Sequence, residues 1–245
     1  LKNDSAHAYE LQQREIKIIE ANESLIRLNP MNYLVPLHNF IDVSINIEKY
    51  NEAEESLTKM NDLAIKYGFK NNSALTLAIK TYQIPLESKL IASLNLDSKA
   101  NDRIDEILSD AVIFESMNEQ ASLAHQTNFY CALAKLKLEK YNDALGLLAI
   151  FEYENHDKKI LPEFEFYVEI MRLICFYELE FVDMFEAKIR SVSRKTNTFD
   201  SQELLPFFRA LNKSISKQDA LKLVPEKLNF CLLYTSDAAD EAKWG

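Results

Sequence analysis

The sequence predicts an all-α chain built as a stack of antiparallel helical hairpins, and three observations lead there. The segment Glu48-Lys49-Tyr50-Asn51-Glu52-Ala53 recurs as Glu139-Lys140-Tyr141-Asn142-Asp143-Ala144, each copy lying between two apolar helical stretches. A near-identical turn at two distant places is an internal repeat, and repeats decide architecture before any other reading. Glycine is scarce: Gly68, Gly146 and Gly245 are the only three in the chain. With just six prolines beside them, little material remains for β-hairpin turns. The apolar residues, 47% of the chain, are enough to bury a sizeable core. They recur at helical spacing, as Tyr50, Ala53, Leu57, Met60 and Ala64 do on one face.

Each element follows from local signals. A first helix is expected over Ser5 to Leu28, stopped by Asn29-Pro30, a turn dipeptide whose proline suits the start of the next helix. The second runs from Met31 to Ile47 and the third from Asn51 to Tyr67. Gly68 stands just past its end, where a left-handed cap residue belongs. A fourth spans Ser73 to Leu94. The fifth, Ser98 to Met117, keeps helical period through Ile104, Ile107, Leu108, Ala111 and Phe114. Ala121 to Leu138 and Asn142 to Glu154 flank the second copy of the turn. Leu161 to Leu179 and Val182 to Thr196 follow, then Ser201 to Ser216 and a partial helix after Gln218. Phe164 to Phe181 is the nearest approach to a membrane span. Glu165, Glu169, Arg172, Glu178 and Glu180 interrupt it, so no stretch reaches the ~18–20 uncharged apolar residues a bilayer requires.

The C-terminal end departs from this pattern. Residues Cys231 to Glu241 read CLLYTSDAADE, eleven consecutive residues that resemble the in-frame translation of a sequencing adapter. Residues 231–245 are therefore expected to be a non-native tail and are set aside from fold reasoning. Residues 1–230 are expected to form a single helical-repeat domain, truncated at both ends because the chain opens on Leu1. Removing the tail takes Asp+Glu from 38 to 35 and Lys+Arg from 28 to 27, so net charge moves from −10 to −8. An acidic balance argues against nucleic-acid binding, which depends on basic residues meeting phosphate. The cluster Arg190, Arg194 and Lys195 sits at a predicted helix C-terminus, where cations offset the macrodipole.

The repeat carries a family resemblance. A helix, then Lys-Tyr-Asn-x-Ala, then a second helix with an apolar residue four beyond the alanine is similar to a tetratricopeptide (TPR) repeat. Tyr50, Ala53 and Leu57 match, as do Tyr141, Ala144 and Leu148. Asn29-Pro30 resembles the proline junction between repeats. The match departs in the first helix of each pair: Leu37 and Asn128 stand where the family often has Trp, and Ile41 replaces a small residue that Ala132 keeps. The divergent hairpins resemble TPR-like proteins of Bacteroidetes-type bacteria. Tyr50 and Tyr141 lie 91 residues apart, and Phe181 lies 40 beyond Tyr141 in a turn of the same kind. Those spacings leave room for one further hairpin of about 34–47 residues between the copies. The resemblance implies a right-handed solenoid that binds protein or peptide along a concave face lined by the first helix of each hairpin. An alternative implication is a sensory or regulatory segment of a larger bacterial regulator.

Carried over by offset from the turn aromatic, the concave face is His38, Asp42 and Asn46 in the first matching repeat. It is Phe129, Leu133 and Lys137 in the second, and Glu169, Leu173 and Tyr177 in the third. Spacings of four put each trio on one stripe of its helix. No enzyme, metal or cofactor is expected. His38 and Asp42 could share a proton, but two ligands do not make a zinc site. Glu163/Glu165 and Glu178/Glu180 are two apart on helices, so each pair points apart and cannot work as acid and base together. No phosphate-cradling glycine cluster is present. Cys131 and Cys175 sit in apolar stretches and read as small buried hydrophobes. No signal peptide is visible, and a cytoplasmic location is expected.

Overall fold

A computed structural model describes residues 2–69, 71–94, 96, 99–117, 122–154 and 162–195. The chain divides into two compact units, Leu1–Leu138 and Glu139–Gly245. Among the described residues there are ten helices and no strand, so the chain is all-α. The helices are α1 (Lys2–Glu20), α2 (Glu23–Leu28), α3 (Met31–Asn46), α4 (Tyr50–Lys66), α5 (Ser73–Ser93), α6 (Ala100–Met117), α7 (Ser122–Lys137), α8 (Tyr141–Glu154), α9 (Pro162–Glu178) and α10 (Val182–Lys195). The helix expected over Ser201 to Ser216, the partial helix after Gln218 and the tail 231–245 lie outside the described residues. No described helix is long and apolar enough to cross a membrane.

One expected helix is in fact two. The run from Ser5 to Leu28 breaks at Ala21-Asn22 into α1 and α2. The Asn22 side-chain amide donates to the Ile18 carbonyl at 2.8 Å, competing for the backbone as asparagine does near helix ends. The next break behaves as its sequence suggests. Pro30 already holds helical angles, φ −62 and ψ −21. Asn29 Oδ1 accepts the Met31 N–H at 3.1 Å, which satisfies one of the donors a helix start leaves open.

Three of the interhelix turns share one backbone feature. Glu48, Glu139 and Glu180 all adopt left-handed angles, with φ 64, 59 and 58. At the first of these, Lys49 N–H donates to the Ser44 carbonyl at 2.8 Å and Glu48 N–H to the Ile45 carbonyl at 3.1 Å. The third repeats the pair: Phe181 N–H to Phe176 at 2.9 Å and Glu180 N–H to Tyr177 at 3.0 Å. Gly68, at φ 82, closes α4 the same way, through Phe69 N–H to Ala64 at 2.7 Å and Gly68 N–H to Ile65 at 3.3 Å. These crossed bonds satisfy the last carbonyls of a helix and redirect the chain.

In the first unit, α1 packs on α3; α3 on α4 and α5; α4 on α5; α5 on α6 and α7; and α6 on α7. Paired side chains give the directions. His38 meets Tyr82 and Asp42 meets Lys89, so both sequences advance together and α3 runs parallel to α5. Lys80 meets Asp110 and Glu87 meets Arg103, so α5 and α6 run antiparallel. The core between α1, α3, α4 and α5 contains Ile26, Leu34, Leu37, Ile41, Met60, Leu63 and Leu90, all fully buried. Each such side chain contributes about 1.5–3 kcal/mol by leaving water. Ala53 is fully buried as well.

The second unit, as described, packs α8 on α9 and α9 on α10. Ala144, Leu148 and Ile189 are fully buried there. Arg172 of α9 pairs with Glu152 of α8 and also donates to the Leu148 carbonyl at 3.4 Å.

Candidate functional site

The residues taken from the first repeat do share one side of α3, and the structure shows what faces them. His38, Asp42 and Asn46 are each half-buried. The His38 ring stacks at a tilt on Tyr82 of α5, centroids 4.7 Å apart. Its Nδ1 donates to Asn39 Oδ1 at 3.1 Å. One turn on, Asp42 Oδ1 accepts from Lys89 Nζ of α5 at 3.1 Å, with the two side chains 17% and 3% exposed. A charge buried as deeply as Lys89 requires a partner, and Asp42 provides it. A turn further, at the end of α3, Asn46 Oδ1 is buried without a hydrogen-bond partner.

Tyr82 and Lys89 were absent from the sequence-based set. The offsets were counted from a turn aromatic, and the α5–α6 connection has none to count from. A signal did exist: Lys89 stands seven residues from Tyr82, and so on the same helix face, directly before the apolar pair Leu90-Ile91.

In the second repeat the three residues differ in exposure. Lys137 is exposed along its stem, and its Nζ donates to the Ala92 carbonyl of α5 at 2.5 Å. Partial burial pulls the ammonium below its ordinary pKa. That carbonyl belongs to the last turn of α5, where a cation meets the negative end of the helix dipole. Phe129 and Leu133 are buried, at 2% and 7% exposed. Partial exposure was expected of Phe129 and is not observed. The reason is packing: α7 lies against both α5 and α6, which leaves only the end of its stripe uncovered.

The third turn has a register different from the one its aromatic residue suggests. Glu180 is the left-handed residue of its turn, as Glu48 and Glu139 are of theirs. Two positions on stand Tyr50, Tyr141 and Val182, so Val182, not Phe181, occupies the tyrosine position. Burial agrees with this register, because it aligns Leu57, Leu148 and Ile189, all buried. One residue of slip rotates a helical stripe by about 100°. Glu169 and Leu173 are buried, as are Val168, Ile170 and Met171 around them, and Glu169 Oε2 lies 2.5 Å from Lys188 Nζ of α10. Tyr177 is half-buried with its ring 5.8 Å from Phe185. Counting from Val182 gives Ile170, Ile174 and Glu178, of which Ile170 is itself buried, Ile174 half-buried and Glu178 exposed.

Among the described residues, no three His, Cys, Asp or Glu side chains gather as a metal site. The Cys131 and Cys175 thiols are buried, and burial pushes both up to about 12, far from the thiolate form that makes cysteine a nucleophile. What α3, α5 and α7 offer is a strip with an aromatic pair, a neutralised ion pair, an unmatched amide oxygen and a cation at a helix end. No family model, curated protein or solved structure matches the chain.

Proposed function

We propose that this chain is a protein- or peptide-binding helical-repeat scaffold, each unit a run of TPR-like hairpins, with the strip on α3 and α5 and the end of α7 as its partner-reading surface in the first unit. The recurrence of one turn geometry at Glu48, Glu139 and Glu180 carries this reading. Each of these turns joins the end of one helix to the start of the next, and repetition of such a unit is the logic of solenoid scaffolds. The packing of the first unit agrees, since α3 and α5 touch each other and each touches the helix that follows it. Helices stacked that way present one side of successive members as a continuous surface.

The test is direct. The purified chain is panned against a random peptide display library, and the selected peptides are titrated by calorimetry. Saturable binding is expected, weakened about tenfold or more by His38→Ala, Asn46→Ala or Lys137→Ala, each tenfold being about 1.4 kcal/mol. Glu55→Ala, on the exposed side of α4, should leave it unchanged. Failure to select any saturable binder, or equal losses at Glu55 and the α3 positions, would overturn the proposal.

A further inference from the structure

We draw no further inference here: the strongest candidate, the outward apolar surface of Leu11 and Ile18 on α1 with Leu25 and Leu28 on α2, carries nothing because nothing in the structure shows what covers it.

Discussion

Lys89 Nζ on α5 lies 3.1 Å from Asp42 Oδ1 on α3, and the lysine side chain is 3% exposed. The pair ties two parallel helices at a place where water cannot stand in for a missing partner. Removing one member should therefore cost more than the pair itself contributes. Asp42→Ala is expected to lower stability by about 1–3 kcal/mol, because it takes a charged hydrogen-bond partner from a buried ammonium. Asp42→Leu with Lys89→Met should cost distinctly less than the sum of the two single changes. Chemical denaturation of the four proteins measures this, and strict additivity would show that the two groups do not depend on each other.

The left-handed glutamates yield a second prediction, of opposite sign. A non-glycine residue in that region costs about 1–2 kcal/mol. Glu48→Gly and Glu139→Gly should each raise stability, by about 1 kcal/mol after the greater freedom of glycine in the unfolded chain is subtracted. Gly68→Ala should do the reverse, losing about 1 kcal/mol. A Cβ at Gly68 would meet nothing within 4 Å, so that loss reports backbone conformation alone. Denaturant midpoints decide it; a stabilising Gly68→Ala would contradict the account.

Ala144 is fully buried in the turn-proximal part of α8. Ala144→Leu should overpack that crossing and cost about 1–3 kcal/mol. Gly146, two residues on, has open space around its Cβ position. Gly146→Ala should be neutral or stabilising, by up to about 1 kcal/mol from helix propensity. The contrast between neighbours, read by thermal denaturation, distinguishes local crowding from a general intolerance of α8.

Glu20 gives the pH dependence. Its carboxylate accepts from Tyr33 Oη at 2.5 Å and from Lys59 Nζ at 2.7 Å. Burial opposes its ionisation, but those hydrogen bonds and the lysine charges outweigh it, so its pKa in the folded chain lies below the ordinary carboxylate value. A lowered folded pKa means stability that is present above the unfolded value, about 4.3, and lost as pH falls through the folded one. Glu20→Gln should cost about 1 kcal/mol at pH 7, and the difference from the parent chain should vanish in acid. A difference that is constant from pH 7 to pH 3 would exclude this origin.

Much of the fold was legible because helical period and turn chemistry agree. The boundaries of α3, α4, α5, α7, α8, α9 and α10 fall within two residues of expectation. At Ala21-Asn22 the two helices, each helical by pattern, are separated by the non-helical backbone of Asn22, at φ −126 and ψ 63, whose side chain bonds the Ile18 carbonyl. The site was less legible. Counting from Tyr50 leads to His38, Asp42 and Asn46, which are half-buried. Counting from Phe181 leads to Glu169 and Leu173, which are buried, and to Tyr177, which is half-buried; Phe181 directly follows the left-handed Glu180, where Tyr50 and Tyr141 each stand two positions beyond theirs. Backbone sign, which fixes the register, is written in sequence when glycine fills the position, as at Gly68. It is hidden when glutamate does.

The crossed bonds at Glu48 also make that reversal a rigid spacer with no slack. Ser44 and Ile45 are each tied to a particular partner beyond the corner, at 2.8 and 3.1 Å. One inserted residue would have to part both bonds and would turn the outgoing helix by about 100°, facing Leu57 and Met60 toward solvent. Epitope tags, linkers and circular-permutation cuts placed there should fail, whatever the polarity of the sequence suggests.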